Sequence, residues 1–135
     1  NLRTLDEESN KKAVEYVYKV IKDLTTKGFN KFIFIPFGFG SFKKRHFDND
    51  LIIATLLKRY IPNVLVIDVE LNPREILCLF NYLDYVIAMR HHAIIFALLA
   101  KKPMTALVYD TKTLELLKML KYNKENINLV LINDL

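Results

Sequence analysis

The stretch Asp84-Tyr85-Val86-Ile87-Ala88-Met89-Arg90-His91-His92-Ala93-Ile94-Ile95-Phe96-Ala97-Leu98-Leu99-Ala100, followed by Pro103-Met104-Thr105-Ala106-Leu107-Val108, decides the fold class. Residues 84–89 are a short apolar run, suited to a buried strand. Three polar residues interrupt it, and residues 93–100 are then apolar all round, as a buried helix is. Pro103 stops that helix, and residues 104–108 make a second buried strand. Strand, tight turn, helix and strand form a βαβ unit, whose strands lie parallel with a right-handed crossover.

The alternation continues outward in both directions. Residues 1–3 read as the end of a strand that begins upstream. Thr4 with Glu7 makes a capping-box pattern, and Ala13, Val14, Val17, Val20, Ile21 and Leu24 recur at helical spacing. Gly28 suits the left-handed position that closes such a helix. Residues 31–36 carry Phe32-Ile33-Phe34-Ile35, a run expected to be buried on both faces. Residues 50–60 form a second amphipathic helix, with Ile52, Ile53, Leu56 and Leu57 inward and Pro62 barring its continuation. Residues 64–69 read as another buried strand. Asn72-Pro73-Arg74-Glu75 supplies an N-cap, a proline at N1 and a glutamate at N3 for a helix to about Tyr82. Residues 113–120 predict a helix and 127–132 a short edge strand. The expected fold is α/β: a Rossmann-like parallel sheet with helices on both faces, in a single domain over residues 1–135.

Composition narrows the class. Hydrophobic residues make up 52% of the 135, enough for a core, which excludes global disorder. The net charge of +5 favours anionic partners: phosphates, carboxylates, acidic glycans, nucleic acid or an anionic lipid surface. The aromatics fall in core patterns and not among the basic residues, so nucleic acid is not the expected partner. Cys78 is the sole cysteine and cannot form an internal disulfide, so a cytoplasmic setting is expected. There is no zinc-type spacing, and no metal is expected. The longest apolar run is too short for a bilayer, leaving at most peripheral contact with the inner membrane face. The start at Asn1, without methionine, suggests a piece of a longer protein.

In open parallel sheets ligands bind beyond the carboxyl ends of the strands, which directs attention to three loops. The first, Pro36-Phe37-Gly38-Phe39-Gly40, has glycines that let backbone approach a ligand, though it is neither a Walker A loop nor a GxGxxG turn. The basic run Lys43-Lys44-Arg45-His46 after it is either a solvated face or an anion patch. The second is Met89-Arg90-His91-His92. Arg90 is a fixed cation suited to carboxylate or phosphate. The two histidines sit where helix amides and dipole favour an anion; that setting disfavours an imidazolium unless a bound anion offsets it. Neighbouring residues on a helix point about 100° apart, so only one histidine is expected to serve a site, the other capping or packing. The third loop is Tyr109-Asp110-Thr111-Lys112, where a lysine at a helix start runs against the dipole and hints at function; the alternative is a solvent-facing lysine.

The run from Asp84 through Met-Arg-His-His to Ala97, with Pro103 and then Tyr109-Asp110-Thr111-Lys112, resembles the polysaccharide pyruvyl transferases. That family carries Met-Arg-x-His before an apolar helix and Tyr-Asp-x-Lys about twenty residues on. Ile35-Pro36 followed by Asp48 or Asp50 fits its upstream pattern of a strand ending in proline and an aspartate opening a helix. The resemblance covers essentially the whole chain as the family's C-terminal half, and implies the C-terminal domain of a GT-B-type fold with an N-terminal domain missing.

It further implies ketal pyruvyl transfer from phosphoenolpyruvate to two hydroxyls of a cell-surface or exopolysaccharide glycan, or of a lipid-linked saccharide, with no cofactor beyond the donor substrate. It places the motif histidine on His92, as general acid. The motif arginine and lysine fall on Arg90 and Lys112, as holders of the donor anions. Tyr109 and Asp110 are carried to substrate binding, with Gly38 and Gly40 admitting the ligand to the first loop. Two positions depart from the family: His91 stands where leucine is common, and Thr111 where proline is. Two other readings fit the loops, the donor-binding half of a GT-B glycosyltransferase and a non-catalytic anion- or glycan-binding module.

Overall fold

The computed structural model of the chain describes residues 2, 5–39, 49–120 and 125–135. Along them helices and short strands alternate: α1 (Glu7–Thr26), β1 (Ile33–Phe34), α2 (Asp50–Tyr60), β2 (Leu65–Val66), α3 (Pro73–Asn81), β3 (Val86–Ala88), α4 (His91–Leu99), β4 (Met104–Val108), α5 (Thr111–Met119), β5 (Ile127–Leu131) and a closing 3-10 turn, Ile132–Asp134. β1 pairs with β2, and β4 lies between β3 and β5; every one of these strand pairs is parallel. The fold is α/β and Rossmann-like, with its described strands hydrogen-bonded as two small parallel sheets. Leu2–Glu70 and Leu71–Asp134 form two compact units. Among the described residues no helix is long and apolar enough to cross a membrane.

In the first unit α1 buries Ala13, Val14, Val17, Ile21 and Leu24, one stripe of its surface. Its N-cap is Asp6, whose carboxylate accepts from the Ser9 N–H at 2.9 Å; the expected cap, Thr4, lies outside the described residues. Aspartate serves better than threonine here because its charge also meets the positive end of the helix dipole. Gly28 closes α1 at φ 96°, the left-handed position that glycine occupies without a Cβ penalty. α2 spans the expected residues and buries Ile53, Ala54 and Leu57, while Ile52 and Leu56 stay half-buried. It packs against α1, with the Tyr18 and Tyr60 rings 5.7 Å apart.

The sheet of this unit differs from expectation. β1 and β2 hold two residues each, and one side of the pair is better covered than the other, with Phe34 buried and Val66 half-buried. Phe34 is 2% exposed, whereas the register partners Ile33 and Leu65 are 37% and 59% exposed. An apolar run states that a segment suits burial; what covers each face is set by distant chain.

The second unit follows the sequence more closely. α3 has the full capping box: Asn72 accepts from the Arg74 and Glu75 N–H groups, and Glu75 accepts from the Asn72 N–H at 2.8 Å, with Pro73 at the first helical position. β4 is buried along its whole length. It runs two residues beyond β3, since Ala88 pairs with Ala106, and β5 flanks its other side as the expected edge strand. α4 buries Ala93, Ile94 and Ala97, but Leu99 is 62% exposed, so this helix is less enclosed than its composition suggests. Cys78, on α3, is exposed.

Candidate functional site

β3 and β4 are parallel neighbours, and each leads into a helix through a turn of two residues. Met89-Arg90 follows Ala88 and Tyr109-Asp110 follows Val108, so both turns leave the same, carboxyl edge of the sheet. Adjacent strands lie about 4.8 Å apart. The topology therefore brings Arg90, His91, His92, Tyr109, Asp110 and Lys112 to one edge, as the sequence predicts for Arg90, His92 and Lys112.

The two helix starts are built differently. Asp110 caps α5 by accepting from the Thr113 N–H at 2.8 Å. Burial opposes the Asp110 charge. The Thr113 N–H and hydroxyl, the Tyr109 side chain and His91 outweigh it, so the carboxyl titrates below its ordinary value. The Thr113 hydroxyl is buried and makes no hydrogen bond of good geometry, yet lies near enough to Asp110 to favour the carboxylate. Lys112 is exposed at the second position of α5.

α4 starts without a side-chain cap. Its N-cap is Arg90, in extended conformation at φ −76° and ψ 137°, and its first turn holds no acidic residue. α1, α2, α3 and α5 each begin on an Asp or Asn whose side chain accepts a first-turn N–H. The first-turn amides and dipole of α4 therefore present an electropositive terminus with no acidic residue or capping side chain of its own. Met89 and Ala88 behind it are fully buried, and Arg90 is half-buried, so the cation stands at the rim of a packed core.

His91 and His92 open α4, both exposed. Their rings lie 4.1 Å apart, centroid to centroid, at an interplanar angle of 40°. This corrects the expectation that the pair diverges by the helical step. That step fixes the Cα–Cβ directions, whereas side-chain rotation at an exposed first turn is free to bring the rings together. Desolvation, then His91, then the Arg90 cation hold His92 below the ordinary histidine value, so its ring is neutral near pH 7. Two unit charges 4 Å apart repel by about 1 kcal/mol even in water, enough to disfavour protonating both rings.

Gly38 belongs to the other compact unit. Its N–H donates to the Asp50 carboxylate at 3.1 Å, beside the Phe37 N–H at 2.9 Å, and its carbonyl accepts the Asp50 N–H at 2.7 Å. Both of its backbone groups are thus committed to Asp50, a fully buried residue at the start of α2. Gly40, Asp48 and the basic run 43–46 lie outside the described residues. The sequence reading missed the role of Asp50 as a clasp on this loop; the signal was an aspartate opening a helix shortly after a strand ending in proline. Among the described residues no cluster of three or more His, Cys, Asp and Glu side chains could hold a metal ion.

A sequence model described as polysaccharide pyruvyl transferase matches residues 2–111. The match takes in Asp50, Arg90, His92, Tyr109 and Asp110 and ends one residue before Lys112. No curated protein and no solved structure matches the chain significantly.

Proposed function

The chain belongs to the polysaccharide pyruvyl transferase family, and on that premise we propose that it takes part in ketal pyruvyl transfer, with phosphoenolpyruvate as donor and two hydroxyls of a sugar as acceptor. The observation that carries this reading is the uncapped start of α4, where Arg90 and the first-turn amides meet beside His92. A donor with a carboxylate and a phosphate supplies the anion that this terminus lacks. Arg90 can grip either group through two parallel N–H···O bonds, and Lys112 adds a point charge from the neighbouring helix start.

The chemistry balances as follows. A proton adds to the donor's methylene carbon, which becomes a methyl group, and the adjacent carbon gains oxocarbenium character. The oxygen of one sugar hydroxyl bonds to that carbon and gives up its proton. The oxygen of a second hydroxyl bonds to the same carbon as its bond to the phosphate oxygen breaks, and the second hydroxyl's proton leaves with phosphate. One donor and one diol give one ketal and one inorganic phosphate. In this reading His92 supplies the methylene proton and recovers one from the first hydroxyl. Its neutrality in the empty site is what the scheme needs at rest, because the entering anion favours the imidazolium just where the acid is required.

The acceptor is a glycan or lipid-linked saccharide, and the setting is cytoplasmic, with at most peripheral contact at the inner membrane face. The test is isothermal titration calorimetry of the chain with phosphoenolpyruvate and with a nucleoside diphosphate sugar. Binding of phosphoenolpyruvate, lost in Arg90→Ala, is expected. Preference for the nucleotide sugar would replace this reading with that of a glycosyltransferase donor half.

A further inference from the structure

We propose that His91 is a positioning residue for His92, its neighbouring imidazole keeping the proton off His92 before the donor binds. The role deepens the functional reading above and rests on it for its purpose, though the coupling of the rings is a property of the pair itself. Three observations carry it. The rings are 4.1 Å apart, within contact distance, and both stand at the first turn of one helix. That turn has no acidic residue and no capping side chain to offset a second positive charge. Across the sheet edge, the Asp110 carboxylate at the start of α5 feels the charge of His91.

The charges near the pair are Arg90 from the same turn, which disfavours a proton on His92, and the Asp110 carboxylate, whose own titration His91 lowers. Lys112 is the other charged side chain of the first turn of α5, and the Tyr109 side chain acts on Asp110. A charge on the His91 ring, 4.1 Å from that of His92, repels a second proton from His92. A side chain without a titrating ring at position 91 would leave the His92 ring without this restraint.

The experiment follows the imidazole resonances of the chain by two-dimensional NMR from pH 5 to 8, in the wild type, in His91→Gln and in His91→Leu. Glutamine removes the titrating ring while keeping the position polar; leucine removes it with an apolar side chain and serves as a second variant should the first fold poorly. The His92 titration midpoint is expected to move upward in His91→Gln, and with it the pH profile of turnover, while turnover at each protein's own optimum stays within a few-fold. An unchanged midpoint in a folded His91→Gln would overturn the role of His91. Phosphoenolpyruvate added to the wild type tests the functional reading separately. If it moves no resonance of Arg90, His91 or His92, that reading fails, while the comparison of midpoints still decides the coupling.

Discussion

Gly38 gives both of its backbone hydrogen-bonding groups to Asp50: its N–H donates to the carboxylate at 3.1 Å and its carbonyl accepts the Asp50 N–H at 2.7 Å. With the Phe37 N–H at 2.9 Å on the same oxygen, the loop after β1 is tied to the first turn of α2. Asp50 is fully buried, so removing its carboxylate takes the shared acceptor away from the Phe37 and Gly38 amides and leaves a gap in the packing. Asp50→Ala is expected to cost on the order of 2–4 kcal/mol, from two bonds to a charged acceptor. Chemical denaturation followed by circular dichroism measures it, and a loss under about 1 kcal/mol would mean that the clasp does not stabilise the fold.

Local signals were legible and long-range ones were not. The caps of α3, the left-handed Gly28, the ends of α2 and all of β4 follow from residues within a turn of the feature they set, so the sequence shows them directly. The alternation of elements likewise fixed which helix starts share a sheet edge, and with that the grouping of Arg90, His92 and Lys112. Three features depend on what meets across sequence distance. The exposure of Ile33 and Leu65 depends on what covers their face of the β1–β2 pair. The Asp50 clasp spans twelve residues. The His91–His92 contact is a choice of rotamers that no spacing rule encodes.

Asp110 should show its charge in the acid stability of the chain. Its folded-state carboxyl titrates below 3.8, its ordinary value. The charge therefore contributes stability that is complete above 3.8 and is lost as pH falls through the lower folded value. Asp110→Asn keeps an N-cap acceptor for Thr113 but carries no charge. The wild type is expected to be the more stable of the two near pH 5, with the gap closing as pH drops below 3.8. Denaturation midpoints for both proteins over pH 2–5 give the answer; a gap constant with pH would show that the carboxylate acts only as a hydrogen-bond acceptor.

His92 carries the same sign into a higher pH range. Its folded-state value lies below the ordinary 6.5, so as pH falls through 6.5 the unfolded chain takes up a proton first and the fold loses stability relative to His92→Gln. An anion bound beside it reverses the balance, favouring the imidazolium. Donor binding at pH 7 is therefore expected to take up protons, and affinity to rise as pH falls toward 6.5. Calorimetry in two buffers of different ionisation enthalpy counts those protons. The same uptake by His92→Gln would show that they go elsewhere, to the donor's own phosphate for instance.

Arg90 and His92 should separate binding from chemistry. Arg90 meets the donor's anion in both ground and transition states, so Arg90→Ala should weaken phosphoenolpyruvate binding by about 10–100-fold, the equivalent of one charge-assisted hydrogen bond or a bidentate pair. Arg90→Lys should recover part of that loss, because it restores the charge without the planar fork. His92 is needed only when the methylene carbon takes its proton. His92→Ala should therefore lower turnover by about 10²–10⁴-fold, the range for losing a general acid, while donor affinity changes little because Arg90, Lys112 and the α4 amides remain. The measurements are donor affinity by calorimetry and phosphate release with an acceptor diol, made on variants whose circular dichroism matches the wild type. Comparable losses of affinity and turnover in His92→Ala would make it an anion-binding residue and leave the proton donor to be found among its neighbours. An unchanged rate in His92→Ala with loss in His91→Gln would move the acid by one residue along the helix and break the correspondence with Met-Arg-x-His.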